Sequence, residues 1–358
     1  MRAYNFSAGP AILPEEVLKE VQTELLNYQD SGMSIMEMSH RGKEYSAVHD
    51  ETISNVKELL NIPNGYSVLF MTGGASAQFS LVPLNLLGKN EVADYTNSGA
   101  WSKKAIKEAR LIGDVNIVAD CSSEIPTRVP SIKECNFSKK AAYLHITSNE
   151  TISGAQWKVF PTSSVPLVAD MSSDILSKPL DVSQFGLIYA GAQKNLGPAG
   201  VTLVIIKDEI AKKCPKELST IFQYQTFIEN NSLFNTVPTF PVYVLCLVTR
   251  WLKQQGGLVE MNKLNEKKAN MLYDVIDNGS FYTGTAVKEY RSTMNVTWRI
   301  HDEALESIFI KEAADNNLKT LKGHRSVGGL RASIYNAFPT EGVDVLANFM
   351  KDFELKYG

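Results

Sequence analysis

The chain has 358 residues, 44% of them hydrophobic and 21% charged, which is enough apolar side chain for two or three ordinary cores and too much for a disordered or collagen-like polymer. Its 36 Lys and Arg against 39 Asp and Glu leave a formal charge of −3, so no global field draws nucleic acid or an anionic membrane, and any anion must be held at a local site. The cysteines Cys121, Cys135, Cys214 and Cys246 form no CxxC pair, which sets aside zinc knuckles and a disulfide framework.

No apolar leader segment follows the first residues, and the longest apolar stretches, such as Val242 to Val248, are too short to cross a bilayer. The expected location is the cytoplasm. In chain order, Pro14-Glu15-Glu16 opens a helix, with proline in its first turn and acids at its positive end, and Val17, Leu18, Val21 and Leu25 share one face. Short apolar runs then recur at Val68 to Met71, Val92 to Tyr95, Ala142 to Ile146, Val165 to Ala169, Leu187 to Ala190 and Val201 to Ile206. They predict strands buried on both faces, and hence an α/β fold whose parallel or mixed sheet is covered by helices.

A charged helix follows over Leu258 to Ile276, then a strand over Asn295 to Ile300, a helix over Glu303 to Asn316, a strand over Leu330 to Ile334 and a last helix from Glu341. The expected division is an N-terminal segment, 1–15, a large unit, 16–258, and a smaller α+β unit, 259–358. No internal repeat is visible.

Ligands of such sheets sit beyond the carboxyl ends of the strands. The turns there are chemically rich: Thr72-Gly73-Gly74-Ala75-Ser76, Thr147 to Thr151, Asp170-Met171-Ser172-Ser173 and Gly191-Ala192-Gln193-Lys194. A lysine that forms a Schiff base with an aldehyde cofactor, together with an acid that pairs with a pyridinium nitrogen, is what pyridoxal phosphate chemistry requires, and Lys194 and Asp170 are placed to supply the pair. The Gly73-Gly74-Ala75-Ser76 turn opening a helix offers free N–H groups to a phosphate, or is simply a tight packing turn. It matches neither of the usual nucleotide-binding glycine motifs. Trp101 is either core or a stacking face for a pyridine ring, and Thr151 either a turn hydroxyl or a donor to a ring oxygen. Ser39-His40-Arg41 and Gly323-His324-Arg325, with Arg331, read as loop charges or as forks for carboxylate and phosphate. His49, His145 and His301 lack ligand-like spacing and read as structural, and neither a zinc HExxH nor a GxSxG nucleophile elbow is present.

The stretches Asn5 to Ala11, Ser39-His40-Arg41, Gly73 to Phe79, Asn149-Glu150-Thr151-Ile152, Ala169 to Ser173, Tyr189 to Asn195 and Gly323 to Ala337 together resemble the phosphoserine aminotransferase family. The match runs from end to end. The resemblance implies a class V aminotransferase of pyridoxal-phosphate fold type I, working as a homodimer and exchanging an amino group between glutamate and 3-phosphohydroxypyruvate. It implies that Lys194 holds the cofactor and moves the proton, Asp170 pairs with the ring nitrogen, Trp101 stacks and Thr151 bonds the phenolic oxygen. The cofactor phosphate would meet Gly74, Ala75, Ser76, Ser172 and Gln193, with Asn235 and Thr236 supplied by the partner subunit. Arg331 would clamp the α-carboxylate, and His40, Arg41, His324 and Arg325 would hold the phosphate or the far carboxylate of glutamate. Some members carry an arginine in the glycine turn where this chain has Ser76, which leaves the far anion site one positive charge fewer.

Cysteine desulfurases and selenocysteine lyases share that scaffold but need a nucleophilic cysteine on an active-site loop, and none of the four cysteines lies in such a motif. A glyoxylate- or pyruvate-using transaminase is the nearer rival, and its substrates need no distal phosphate pocket. A cofactor-free binding protein on the same fold would have no use for the Lys194 and Asp170 pair.

Overall fold

The computed structural model describes residues 2–358. Seven strands form the main sheet: β1 (Tyr66–Met71), β2 (Val92–Asn97), β3 (Val115–Asp120), β4 (Ala141–Thr147), β5 (Leu167–Asp170), β6 (Leu187–Gly191) and β7 (Thr202–Lys207). Their spatial order is β1-β7-β6-β5-β4-β2-β3. All neighbours are parallel except those of β7, which runs antiparallel to both β1 and β6. The carboxyl ends of β1, β2, β4, β5 and β6 therefore share one edge of the sheet.

The central strands read as nearly unbroken apolar runs because both faces are covered. Leu167, Ala169, Ile188 and Ala190 point into a layer shared with α2 (Lys43–Leu59) and α5 (Thr239–Gln254), whereas Val168, Leu187 and Tyr189 point into one shared with α3 (Gly74–Leu86) and α4 (Ala100–Ala109). The first helix, α1 (Glu15–Glu24), packs its Val17 beneath α5.

A separate apolar cluster holds the C-terminal part of the chain. The antiparallel strands β8 (Tyr282–Gly284), β9 (Asn295–Ile300) and β10 (Leu330–Ser333) pack Val296, Trp298 and Ala332 against α6 (Gly257–Asp277), α7 (Ala304–Asp315) and α8 (Thr340–Tyr357). The N-terminal segment belongs to this cluster as well. Tyr4–Asn5 pairs in parallel with Leu318–Lys319, and Phe6 is fully buried against Phe338, 4.4 Å between ring centres.

The two clusters are joined by buried polar contacts. Lys268 on α6 has no exposed surface, and its ammonium donates to the carbonyls of Ile334, Tyr335, Asn336 and Phe338 at 3.1, 2.7, 3.4 and 3.2 Å. One turn earlier, Asn265 Nδ2 donates to the Asn336 side chain and to the Ser177 carbonyl, at 2.8 and 3.1 Å. The Asn336 N–H in turn donates to Asn195 Oδ1 at 2.9 Å. The turn after β10 is thereby fixed to the residue that follows Lys194.

Candidate active site

Lys194 lies in the connection from β6 to β7, at the shared carboxyl edge. The N-terminal segment braces this turn from outside: the Ala11 N–H donates to the Gln193 carbonyl at 2.9 Å, and Gly9 lies so close that an added Cβ would sit 3.2 Å from Lys194 Cγ. The Lys194 ammonium donates to Thr151 Oγ1 at 2.5 Å and stands 4.7 Å from the centre of the Trp101 ring. Burial pushes it down to about 8, against the pull of the Asp170 and Glu150 carboxylates, which favour its charged form.

Asp170 ends β5, opposite Thr147 on β4 and Tyr189 on β6. Its Oδ1 accepts from the Ser172 N–H and hydroxyl at 2.9 and 2.6 Å. Burial raises its carboxyl, and the Lys194 charge and the two Ser172 donors oppose that rise. The Ser172 oxygen also accepts the Gly191 N–H at 3.0 Å. Its hydrogen is given to Asp170, so Ser172 braces that acid.

Trp101 is the second residue of α4, and its Nε1 is buried without a partner. Thr151, also buried, presents its hydroxyl to Lys194 and its carbonyl to Arg331 Nη1, at 3.4 Å. Arg331 Nε is buried and unpartnered, and the residue enters from β10. Lys194, Asp170, Thr151, Trp101 and Arg331 therefore do converge.

The glycine turn before α3 is tight. At Gly73, φ is +89°, a left-handed conformation, and an added Cβ would meet that of Ala77 at 2.5 Å, so only glycine fits this turn. The first turn of α3 that follows has no side-chain cap, and the N–H groups of Gly74, Ala75 and Ser76 point outward from a positive helix end. Gln193 immediately precedes Lys194 in the β6–β7 turn.

The cationic residues fall into two groups. His324 and Arg325 stand on the turn before β10, on the Arg331 side. Burial lowers the His324 imidazole, and the charges of Arg331, Lys104 and Arg325 lower it further. By contrast, Arg41 is exposed and its Nη2 donates to the Leu233 carbonyl at 3.3 Å, two residues before Asn235. His40 Nε2 is buried without a partner. His40, Arg41, Asn235 and Thr236 therefore occupy one surface patch, and none of them is bonded to Lys194. Asn235 instead lines a cavity of about 360 Å³ with Thr72, Gly73, Phe222 and Phe227.

Two site residues escaped the sequence reading. Lys104, one turn after Trp101 on α4, sets its Nζ 4.1 Å from the indole centre. Glu150, fully buried beside Thr151, accepts from the N–H groups of Trp101 and Ser102. The i+3 spacing of Trp101 and Lys104 was the only available signal for the first. Of the three histidines set aside as structural, two are core groups: His145 stacks on Tyr95, bonds the Tyr189 hydroxyl at 2.8 Å and is pushed down to about 3, and His49 bonds the Asn231 carbonyl at 2.8 Å, whereas His301 is exposed with its ring against Phe281.

A nucleophilic lysine, a buried acid, an aromatic platform and a bare helix N-terminus suit a phosphorylated aromatic aldehyde. The model of the family described as aminotransferase class-V matches residues 3–346. The chain belongs to the class-V aminotransferases. A phosphoserine aminotransferase of Niallia circulans is 52% identical over 100% of this chain and 99% of its own length, and that of Acinetobacter baylyi is 51% identical over 100% of both. Among solved structures, phosphoserine aminotransferase from Bacillus circulans subsp. alkalophilus superposes with a TM-score of 0.96 at 50% identity, covering 100% of this chain and 99% of that one. The pyridoxal-phosphate-bound enzyme of Trichomonas vaginalis gives 0.94 at 39% identity over 98% and 100%. No described helix is long and apolar enough to cross a membrane.

Proposed function

We infer that this chain catalyses the phosphoserine transaminase reaction with pyridoxal phosphate: an amino group passes between L-glutamate and 3-phosphohydroxypyruvate, giving O-phospho-L-serine and 2-oxoglutarate. The observation that carries the reading is a chain 52% identical from end to end with a phosphoserine aminotransferase, in which Lys194 Nζ lies 2.5 Å from Thr151 Oγ1 and 4.7 Å from the Trp101 ring. The bound cofactor supplies an aldehyde carbon for the amino group and a ring that withdraws electrons from it. The protein's part is to hold that ring and manage the protons.

Lys194 Nζ anchors the cofactor and then takes and returns the proton of the substrate α-carbon. A group whose midpoint lies near 8 is suited to both tasks. Asp170 holds a proton at the ring nitrogen, Trp101 covers the ring face and Thr151 donates to the ring oxygen. Gly74, Ala75, Ser76 and Gln193 receive the phosphate. Arg331 grips the α-carboxylate common to both substrates, which therefore take turns in one pocket. His324 and Arg325 receive the far anion, carboxylate or phosphate.

We assign His40, Arg41, Asn235 and Thr236 to the active site of a second copy, so that the working unit is a homodimer. Two observations support this: none of the four residues bonds Lys194, Arg41 instead reaching the Leu233 carbonyl, and Met36 and Phe234 beside them are 54% and 39% exposed. Apolar side chains so exposed fit an interface. We take 16–258 as the cofactor-binding unit, 259–358 as the smaller unit and 1–15 as a strap between them; the separate apolar clusters support that division. The reading places the reaction in the cytoplasm, where amino-acid synthesis runs.

The decisive experiment is a glutamate-dependent assay that compares 3-phosphohydroxypyruvate with pyruvate, glyoxylate and oxaloacetate. Preference for the phosphorylated acceptor is expected. Equal or better rates with glyoxylate or pyruvate would overturn the substrate assignment.

A further inference from the structure

A helix start is commonly capped by its own N-cap side chain. Helix α4 cannot do this, because its N-cap residue is Gly99. Its first N–H groups are served instead from 49 and 48 residues down the chain. Glu150 Oε2 accepts the Trp101 N–H at 3.1 Å, and Oε1 accepts the Ser102 N–H and hydroxyl at 3.0 and 2.8 Å and the Ser98 hydroxyl at 3.5 Å. The Ser102 oxygen meanwhile takes the N–H groups of Ser98 and Gly99, at 3.0 and 2.9 Å. Both its lone pairs are used, so its hydrogen must be donated, and Oε1 is its nearest acceptor.

Gly99 makes this approach possible. Its φ of 167° is ordinary extended backbone, so conformation does not demand glycine there. Space does: a Cβ would sit 2.7 Å from Glu150 Cδ and 2.8 Å from Oε2. The carboxylate is fixed from its own side as well. Glu150 pairs with Ala155 in a short antiparallel ladder, its carbonyl accepts the Gly154 N–H at 2.8 Å, and the neighbouring Asn149 bonds Ser173 and Asn295 at 2.9 and 2.7 Å.

The Trp101 indole has no hydrogen bond of its own, since Nε1 is unpartnered. Its orientation is set by packing and by the backbone of the helix start, where the two Glu150 oxygens bind successive N–H groups and fix the rotation of the first turn. The same short segment presents the Thr151 hydroxyl to Lys194. We propose that Glu150 is a positioning residue of the cofactor site: its buried carboxylate clamps the first turn of α4 and so holds the Trp101 ring in register with Thr151 and Lys194. The proposal rests on the reading of Trp101 as the platform for the cofactor ring.

The test is the affinity of the cofactor-free protein for pyridoxal phosphate, read from quenching of tryptophan fluorescence, with the thermal midpoint of each cofactor-free variant recorded to establish that it is folded. Glu150→Gln keeps the volume but turns an amide donor toward one of the N–H groups. Gly99→Ala displaces the carboxylate while leaving all of its chemistry in place. Each should weaken binding by at least about tenfold, which is ~1.4 kcal/mol. Because Glu150 acts through Trp101, the double variant Glu150→Gln, Trp101→Phe should bind within about threefold of Trp101→Phe alone. If Glu150→Gln binds normally while Trp101→Phe is impaired, or if the two losses multiply, the proposal fails alone. If Trp101→Phe itself binds normally, the proposal fails together with the reading beneath it.

Discussion

Replacing Asp170 by asparagine should change the pH at which Lys194 reacts as an amine. Burial lowers Lys194 to about 8, and the Asp170 charge is the largest influence opposing that fall. With a midpoint near 8, roughly one molecule in eleven carries the free amine at pH 7; an ordinary lysine near 10.4 has roughly one in 2,500, about 200-fold fewer. Asparagine keeps an oxygen for the Ser172 donors but removes the charge, and losing an opposite charge at this range moves a pKa by about one unit or more. The midpoint should fall to near 7, so that about half the molecules carry the free amine at pH 7 and capture of an aldehyde there becomes about five times faster. The same variant should turn over far more slowly, because a neutral amide cannot hold a proton at the ring nitrogen. Reductive methylation of the cofactor-free protein between pH 6 and 10, with Lys194 followed by peptide mass spectrometry, separates the two effects without any ring in the site. A rate for native Lys194 that keeps rising to pH 10, or an Asp170→Asn midpoint equal to or above the native one, would refute the electrostatic account.

Arg331→Ala should weaken both half-reactions, each by the loss of charge-assisted hydrogen bonds worth about 1.5–3 kcal/mol, or roughly 10- to 150-fold in kcat/KM; impairment of only one half-reaction would dismiss it as the shared carboxylate clamp. Arg325→Ala should harm the reaction of the phosphorylated substrate more than that of glutamate, because a dianion loses more than a monoanion, and single-turnover spectra with each substrate decide the matter. Lys104→Gln removes one of the charges that disfavour protonated His324, so the His324 midpoint should rise toward its ordinary value in an NMR titration of the cofactor-free chain; an unchanged or lower value contradicts the cationic cluster. Lys268→Met removes the shared donor of the buried Ile334, Asn336 and Phe338 carbonyls, while the Tyr335 carbonyl keeps the Phe338 N–H, and should lower unfolding stability by about 2–4 kcal/mol in denaturant, whereas an unchanged midpoint would show that those oxygens find other partners.

Six of the seven main strands could be read from the sequence because burial on both faces leaves no polar alternation to confuse them. The missed strand, Val115–Asp120, lies at the edge and is half-exposed, so its Asn116 and Asp120 broke the apolar run. The direction of β7 was not readable either, since an antiparallel strand buried in such a sheet carries the same apolar run as a parallel one. Lys194, Asp170 and the glycine turn were legible because strand ends announce themselves as polar residues after apolar runs. Glu150 was not, although its motif was noticed. A capping carboxylate is normally recognised by its spacing from the helix it caps, and here the helix lies 48 residues from the cap. The grouping of Arg41 with Asn235 depends on folding alone, since 192 residues separate Arg41 from the Leu233 carbonyl it touches.

The N-terminal strap has a consequence for the order in which this protein can be completed. Asn5 accepts a hydrogen bond from Thr320, 315 positions away, and Phe6 packs on Phe338. The strand that pairs with residues 4–5, the ring that packs on Phe6 and the hydroxyl that bonds the Ala8 carbonyl therefore all emerge from the ribosome late, whereas Gln193, the partner of Ala11, arrives with the sheet. The seven-stranded sheet has nearly all of its buried hydrophobic lining by the end of α5, with only Leu258 and Met261 of the next helix still to join it, and can gather while synthesis continues. The segment that braces Lys194 must wait for β10 and the turn that follows it, and closing a loop of that length is slow. A partly made chain thus has Lys194 without the strap that holds its turn in place.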